Sequence, residues 1–256
     1  MLGAIAASAG ARTALDLFTG TTRVAQELKR QGALVTAADS ATYAHVSARC
    51  YVETDAALVD IAALRAAVDD LNTLAGVPGY FTETFCVRSR YLHPRNGERV
   101  DAIRDALDHR YAASPLFPIL LTSLIEAADR VDSTTGLQMA YLKDWAPRAH
   151  NDLVLRVPDL LPGRGAAVLG DALELAEKLG PFDLAYLDPP YNQHRYFTNY
   201  HVWETLVASD APEHYGVACK RLDARDESTK SAFNRKREMP EALRACIESV
   251  DAGLLV

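Results

Sequence analysis

The clearest chemical signal is the motif Asp188-Pro189-Pro190-Tyr191, which directly follows the apolar run 182–187. That run predicts a buried strand, so Asp188 would stand at its carboxyl end, where ligands bind in open α/β sheets. Two successive prolines fix φ and remove two N–H donors, which leaves the Asp188 carboxylate and the Pro189 carbonyl as paired acceptors. The alternative is a strand-ending turn that carries a buried carboxylate.

Paired acceptors of this kind suit an amine whose lone pair is delocalised into an aromatic ring. Holding both of its N–H bonds would draw electron density onto the nitrogen and favour pyramidal geometry. The ring of Tyr191 would hold the amine-bearing ring flat against the site. We therefore expect the catalytic residues to be Asp188, Pro189, Pro190 and Tyr191.

A second candidate site is the glycine turn 16–22, which follows the short apolar run that starts at Ala14. A glycine between a strand and a helix lets a ligand approach the backbone, and a helix N-terminus favours a phosphate or carboxylate. Asp39 ends the next predicted strand, where an acceptor for ribose hydroxyls would lie. Together these features favour a cofactor that contains adenosine. Asp171 ends a third strand and is a further candidate, with a helix N-cap as the alternative.

The elements around these residues follow a β-α-β rhythm that is interrupted once. Period-two and period-3.6 patterns predict a parallel, doubly wound α/β sheet for the two ends of the chain, and a mainly helical insertion between them. The predicted strands are 14–18, 33–38, 166–169, 182–187 and a last one beginning at 254. The predicted helices are 24–29, 43–76, 100–112, 115–130, 173–179 and 199–207, with a further candidate that ends at Trp145. We divide the chain into 1–76, an inserted region 77–150, and 151–256.

Composition is that of a globular protein, with 256 residues, 49% hydrophobic and 24% charged. No apolar run is long enough for a transmembrane helix, and residues 1–11 lack the basic leader of a signal peptide. The four cysteines are widely spaced, which argues against a zinc site or a disulfide framework and favours the reducing cytoplasm. The net charge of −7 hides two basic stretches, 88–110 and 220–237. Each stretch also contains acids, so either a nucleic-acid contact or an ordinary solvated face fits its charge.

Taken together, these motifs resemble the Dam-like family of adenine-specific DNA methyltransferases. The family has a Phe-x-Gly-x-Gly loop, for which this sequence offers Phe18-Thr19-Gly20-Thr21-Thr22, and an (Asp/Asn)-Pro-Pro-(Tyr/Phe) loop, for which it offers the motif at 188–191. The resemblance runs over nearly the whole chain. It implies a Rossmann-like sheet that binds S-adenosylmethionine (AdoMet), transfer of its methyl group to adenine N6 in double-stranded DNA, and a flipped-out target base.

The resemblance also implies roles for single residues. Asp188 and the Pro189 carbonyl would hold the N6 amine while Tyr191 stacks on the adenine, with no metal and no covalent intermediate. The residues expected to bind AdoMet are Asp16, Phe18, Thr19, Gly20, Thr21, Asp39 and Asp171. The inserted region would recognise the target, and the residues expected to contact DNA are Arg88, Arg90, Arg95 and Asn96. A cognate restriction endonuclease is an expected partner.

The sequence departs from this family pattern in three places. Thr22 replaces the second loop glycine, so we expect less room for the cofactor and a shifted backbone. The family's upstream AdoMet motif would lie before Met1, and 254–256 resembles the opening of a core strand, so we expect an incomplete copy of a longer enzyme. Two alternatives remain: a methyltransferase acting on RNA or on a protein glutamine amide, and an inactive DNA-binding remnant.

Overall fold

A computed structural model of the chain describes residues 2–190 and 196–256. Tyr191 therefore lies outside the described residues. The chain divides into two compact units, each built from separate stretches of sequence. The first unit contains Met1–Val59, Asp159–Arg195 and Lys230–Val256, and the second contains Asp60–Pro158 and Tyr196–Thr229.

The central feature of the first unit is a parallel five-stranded sheet. In chain order, the strands of both units are β1 (Thr13–Asp16), β2 (Leu34–Asp39), β3 (Gly165–Leu169), β4 (Phe182–Tyr186), β5 (His214–Tyr215), β6 (Lys220–Arg221) and β7 (Ala252–Leu255). Of these, β5 and β6 form a separate pair in the second unit. The sheet order is β3-β2-β1-β4-β7, and every neighbouring pair in it is parallel. This confirms the predicted α/β class with a doubly wound sheet.

Ten α-helices accompany the strands in the described part of the chain. They are α1 (Leu2–Ala9), α2 (Arg23–Arg30), α3 (Thr42–Ala48), α4 (Ile61–Thr73), α5 (Pro94–Tyr111), α6 (Phe117–Arg130), α7 (Ala172–Lys178), α8 (Tyr196–Asn199), α9 (His201–Ala208) and α10 (Met239–Ser249). Two π-helical turns span Arg49–Glu53 and Thr82–Arg88. Short 3-10 turns lie at Ala56–Leu58, Pro147–His150, Leu222–Arg225, Glu227–Thr229 and Ala232–Asn234.

The sheet of the first unit has a separate apolar core on each face. Successive residues of a strand point to opposite faces, so β1 sends Ala14 to one core and Leu15 to the other. Buried side chains of α1, α2 and the π-helical turn after α3 pack in the first core, and those of α7 and α10 pack in the second. Helices therefore cover both faces of this parallel sheet, as its apolar strands require.

The predicted long helix 43–76 is wrong in one respect, because the chain leaves the helix between α3 and α4. Two aspartates offer the backbone better partners there. Asp55 accepts a hydrogen bond from the Ala57 amide at 3.0 Å, and Asp60 accepts one from the Ala63 amide at 2.9 Å. Short acidic side chains favour helix N-caps over helix interiors, so each aspartate starts a new element.

The second unit is mainly helical, with α4, α5, α6, α8, α9 and an antiparallel hairpin of β5 and β6. The predicted insertion 77–150 lies entirely within it. The candidate helix ending at Trp145 is absent, because Ser133 folds this stretch back on itself. The Ser133 carbonyl accepts from the Leu142 amide at 2.9 Å, and its hydroxyl accepts from the Ala146 amide at 3.0 Å.

In the part of the chain that the structure describes, no helix is long and apolar enough to span a membrane.

Candidate cofactor and amine site

Three carboxylates lie at the carboxyl edge of the first unit's sheet. Asp16 ends β1, Asp39 ends β2, and Asp188 follows β4 by two residues. Because β2, β1 and β4 are parallel neighbours, their ends meet at one edge. The structure therefore brings together the glycine turn and the start of the Asp-Pro-Pro motif, which are far apart in sequence.

The glycine turn is fixed to the neighbouring strand through Asp39. The Gly20 amide donates to Asp39 Oδ2 at 2.8 Å, and the Thr19 amide donates to the Ala38 carbonyl at 3.0 Å. Gly20 adopts a left-handed φ of 49°, which glycine tolerates without steric cost. A Cβ built on Gly20 would find only one atom at the edge of contact, the Phe18 carbonyl oxygen at 4.0 Å. The backbone beside Gly20 is therefore open to a ligand.

Thr22, which stands where the family loop has its second glycine, has a left-handed backbone. Its φ is 63°, which is strained for a β-branched residue, yet its side chain is fully buried. The hydroxyl donates to the Thr21 carbonyl at 2.7 Å and accepts from Gln26 Nε2 at 2.8 Å. The side chain thus points into the protein. The left-handed Thr22 backbone is therefore held by contacts inside the protein.

Asp16 is the most unusual acid of this edge. It is 1% exposed, and its Oδ2 accepts from the Thr19 hydroxyl at 2.9 Å and from the Ala25 amide at 3.1 Å. Its Oδ1 is buried and has no hydrogen-bond partner among the residues described. Burial, assisted by repulsion from Asp39 and Asp188, raises the pKa of Asp16 to about 7.

Asp39 is half-buried, and its carboxylate is held at both oxygens. In addition to the Gly20 contact, Oδ1 accepts from the Ala41 amide at 2.9 Å. Burial raises the pKa of Asp39, and these backbone hydrogen bonds partly oppose the rise. Each oxygen has a second lone pair, so the carboxylate is both fixed in place and able to accept from further hydroxyls.

Phe18 and Asp171 have more local roles in the structure. The half-buried ring of Phe18 packs edge-on against Phe233, with centroids 5.0 Å apart. Asp171 is exposed and caps α7 by accepting from the Leu173 amide at 2.9 Å, which matches the alternative that the sequence left open. It still lies at the carboxyl end of β3, beside the end of β2.

The chain that leads into the Asp-Pro-Pro motif is anchored by the sheet on both sides. The Leu187 amide donates to the Val256 carbonyl at 2.9 Å, while the Leu17 amide donates to the Tyr186 carbonyl at 3.3 Å. Asp188 is exposed, and Pro189 and Pro190 are half-buried. The Tyr186 hydroxyl reaches Asp188 Oδ2 at 3.5 Å, and burial and the Asp188 charge raise the pKa of Tyr186. The sequence patterns did not single out Tyr186, although an aromatic residue at the last position of this strand is visible in them.

The arginines predicted to contact DNA all lie in the second unit and are partly exposed. Arg88 pairs with Glu83 at 3.1 Å, and both side chains are more than half exposed. The Arg90 guanidinium stacks over Trp145, 4.6 Å from its centroid, and Arg95 pairs with Asp152 at 3.3 Å. Exposed ion pairs of this kind contribute at most about 1 kcal/mol, so phosphates can compete for such arginines.

Asn96 requires a correction, because its side chain holds the second unit together. It is 1% exposed, its Nδ2 donates to the Asn151 carbonyl at 2.9 Å, and its Oδ1 accepts from the Leu153 amide at 3.1 Å. An amide buried and satisfied in this way is not available to a base edge. We therefore assign Asn96 a structural role in place of the predicted DNA contact.

All four cysteines are buried as free thiols. Within residues 2–190 and 196–256, no group of three or more His, Cys, Asp or Glu side chains could hold a metal ion.

With this geometry established, comparison with known proteins identifies the family. Residues 4–249 match the D12 class N6 adenine-specific DNA methyltransferases, and the chain belongs to that family. This confirms the family and the class of enzyme predicted from the two loops. Methyltransferases of this kind generally use AdoMet as the methyl donor.

Several curated relatives carry names consistent with this family. Modification methylase StsI of Streptococcus sanguinis is 28% identical over 94% of this chain and 39% of its own length. Type II methyltransferase M.FokI of Planomicrobium okeanokoites is 35% identical over 63% of this chain and 25% of its own length. Type II methyltransferase M.NlaIII of Neisseria lactamica is 28% identical over 92% of this chain and 71% of its own length. The chain thus spans well under half of the first two relatives, and no solved structure matches it.

The contact between Thr22 and Gln26 gives a prediction about stability. Thr22→Val keeps the shape but removes the hydroxyl, leaving buried Gln26 Nε2 without its acceptor, so we expect a loss of about 1–3 kcal/mol in the free energy of unfolding. The double variant Thr22→Val/Gln26→Leu should recover part of that loss. Urea unfolding curves will measure both, with exposed Thr21→Val as the control. Strictly additive effects at 22 and 26 would contradict a direct contact.

The raised pKa of Asp16 predicts that the free protein loses stability as pH rises. The folded state binds the Asp16 proton more tightly than the unfolded chain does. The stabilisation that this proton gives to the folded state is therefore complete below the ordinary pKa of 3.8 and is lost as pH rises through about 7. One such group changes the unfolding free energy by at most about 1.4 kcal/mol per pH unit. Asp39 acts in the same direction, so Asp16→Asn should reduce the slope without abolishing it.

Urea unfolding between pH 5 and 8 measures this slope. The matched control is Asp183→Asn, because backbone amides of Thr13 and Arg12 lower the pKa of Asp183 and so place its titration below this range. Equal slopes for Asp16→Asn and the wild-type protein would show that Asp16 does not titrate as described.

Proposed function

We propose that this chain transfers a methyl group from AdoMet to the N6 amine of adenine in double-stranded DNA. The observation that carries the proposal is the shared sheet edge of the first unit, where Asp188 and Pro189 follow β4 directly beside the glycine turn that follows β1. The family of the chain supports the same reaction.

The residues present fit AdoMet by their chemistry. The fixed Asp39 carboxylate suits the two ribose hydroxyls, and the open, left-handed backbone at Gly20 gives a ligand close access. The buried, unpartnered Oδ1 of Asp16 marks a place where a further donor is needed. We assign the cofactor to the predicted set Asp16, Phe18, Thr19, Gly20, Thr21 and Asp39, with Asp171 at the adenine edge. When bound, AdoMet supplies the methyl group from its sulfonium.

The catalytic residues act on the adenine amine. We propose that the Asp188 carboxylate accepts a hydrogen bond from one N6–H group and that the Pro189 carbonyl accepts one from the other. These two hydrogen bonds localise the lone pair on the nitrogen. Pro190 fixes the turn, and Tyr191, whose placement is not described, stacks on the base. The base must leave the helix to reach these groups, because the amine is otherwise inaccessible.

We also propose that Arg88, Arg90 and Arg95 bind the phosphates of double-stranded DNA. The names of the relatives refer to modification methylases and type II methyltransferases, which favours a restriction–modification system with a cognate endonuclease for this chain as well.

Removal of the Asp188 carboxylate tests the catalytic assignment. Loss of one preorganised polar group at a reacting centre costs about 100- to 1,000-fold in rate, so we expect Asp188→Ala to fall by at least that factor and Asp188→Asn, which keeps one acceptor oxygen, to fall less. Transfer of tritium from labelled AdoMet to duplex DNA, RNA and protein will be measured separately. Calorimetric titration with AdoMet should show unchanged binding, and exposed Glu174→Gln serves as the control variant.

Each outcome of that experiment is informative. Equal labelling of DNA by Asp188→Ala and the wild-type protein would refute the catalytic role. Labelling of RNA or protein without DNA would refute the proposed substrate. Absence of both labelling and AdoMet binding in the wild-type protein would refute methyl transfer by this chain and favour the inactive remnant.

The proposed phosphate contacts predict a salt dependence. Neutralising a phosphate releases counterions, so each lost contact should reduce the slope of log affinity against log salt by about 0.9. Alanine at Arg88, Arg90 and Arg95 should therefore weaken DNA binding and flatten the slope, as measured by anisotropy of a labelled duplex. Exposed Arg65→Ala, in α4 of the same unit, is the control. An unchanged slope in the triple variant would contradict the assignment.

A further inference from the structure

Tyr186, the last residue of β4, lies on the same face of the first unit's sheet as Asp16. The two are registered partners in the parallel pair of β1 and β4, and registered residues of neighbouring strands point to the same face. The Tyr186 carbonyl accepts a hydrogen bond from the Leu17 amide at 3.3 Å, so its backbone is fixed from the side of β1. The half-buried ring of Tyr186 therefore starts from a fixed point at the sheet edge that carries the three carboxylates.

The alternation of side chains along the chain places Asp188 on this face as well. The side chain of Leu187 packs against the second core of the sheet, and its amide donates to the Val256 carbonyl at 2.9 Å, so the extended pairing continues beyond β4. Because successive residues of an extended chain point to opposite faces, Tyr186 and Asp188 both point away from that core. Tyr186 thus has Asp16 beside it on the neighbouring strand and Asp188 beyond it on its own.

The hydroxyl of Tyr186 donates to Asp188 Oδ2 at 3.5 Å. Among the residues that the structure describes, it is the only group that donates a hydrogen bond to the Asp188 carboxylate. Burial raises the pKa of Tyr186, and the negative charges of Asp188 and Asp16 raise it further. The hydroxyl therefore keeps its proton throughout the neutral range and remains a hydrogen-bond donor.

The proposed reaction needs the Asp188 carboxylate in one orientation, although this side chain is exposed. The two N–H bonds of an amine diverge at a fixed angle, so one carboxylate oxygen must lie in register with the Pro189 carbonyl, which the backbone fixes. A hydrogen bond from Tyr186 to Oδ2 holds the carboxylate and leaves Oδ1 for the amine. A misplacement of about 1 Å at a reacting centre can cost about 100-fold in rate, so such an anchor affects catalysis.

The contact between Tyr186 and Asp188 is long in the free protein, since hydrogen bonds between a hydroxyl and an oxygen usually measure about 2.7–2.8 Å. Catalytic hydrogen bonds are often long without substrate and tighten in the complex. Water competes for the exposed Asp188 carboxylate, and a base that covered it would exclude that water. The hydrogen bond from the half-buried phenol would then be stronger, because the local dielectric constant would be lower.

We propose that Tyr186 is a positioning residue that holds the Asp188 carboxylate in the orientation that accepts a hydrogen bond from the adenine amine. This inference rests on the proposed function, and it adds to the site a residue outside the Asp-Pro-Pro-Tyr motif. The phenol does not touch the reacting nitrogen and gives up no proton during the transfer, because it acts through Asp188 Oδ2. Its effect therefore falls on the rate of methyl transfer and leaves the binding of AdoMet and DNA unchanged.

The test is Tyr186→Phe, which removes the hydroxyl and keeps the ring, so an unchanged thermal melt should accompany it. The substrate is an unmethylated duplex that carries the target sequence, which methylation-aware sequencing of DNA from expressing cells identifies. Transfer of tritium from AdoMet in a single turnover should slow about 3- to 10-fold, the effect of one lost neutral hydrogen bond. Calorimetry with AdoMet and anisotropy with the duplex should give unchanged dissociation constants. The matched control is Tyr111→Phe, at a half-buried tyrosine of α5.

A double-variant cycle shows whether Tyr186 acts through Asp188. In the Asp188→Ala background, Tyr186→Phe should cause no further loss of rate, because the carboxylate that the phenol positions is gone. A loss of the same factor in both backgrounds would overturn the proposal, since it would show a structural role that is independent of Asp188. A loss of AdoMet affinity that accounts for the slower transfer would overturn it as well.

Failure of the positioning role can be separated from failure of the proposed function. Methylation of DNA at equal rates by the wild-type protein and Tyr186→Phe refutes the positioning role alone. Absence of DNA methylation by the wild-type protein refutes the function on which that role rests.

Discussion

The hydrogen bond from the Gly20 amide to the Asp39 carboxylate is the interaction on which the candidate site depends. It joins the turn after β1 to the end of β2, so that the parallel pairing of two strands also fixes the loop beyond them. The strained, left-handed backbone of Thr22 persists in this loop because the Thr22 hydroxyl is held by the Thr21 carbonyl and by Gln26. The same pairing on the other side of β1 brings the chain after β4 to the same edge.

Placing three carboxylates at one edge has an electrostatic cost. Burial and mutual repulsion disfavour the ionised form of Asp16, which is why its pKa rises to about 7. In the free protein this cost lowers the free energy of unfolding. Functional sites often have such a cost, because activity and stability place different demands on the same residues. A cationic ligand at this edge would relieve the repulsion, and the sulfonium of AdoMet is such a group.

The second unit shows why charge patterns alone do not identify a nucleic-acid surface. Its arginines look equivalent in the sequence, but their environments differ. Arg104 is buried and donates to the Leu206 carbonyl at 2.8 Å, while Arg88 is more than half exposed. Arg221 is buried between two aspartates, and its neighbour Lys220 is not. The difference between a structural and a surface arginine comes from packing between segments that are distant in sequence.

The sequence by itself determined the family, the alternation of strands and helices around the sheet, and the positions of Asp39 and Asp188 at strand ends. These follow from local rules, because an apolar run, a glycine turn and a double proline constrain the backbone wherever they occur. Only the tertiary structure decided that the Thr22 side chain is buried and that buried Asn96 hydrogen-bonds to two distant backbone groups. The structure alone also decided that Asp55 and Asp60 divide a predicted helix, and that Val217 is exposed in the turn between β5 and β6. Each of these depends on a hydrogen-bond partner or on burial supplied by another segment, and a one-dimensional pattern does not record which distant groups will meet.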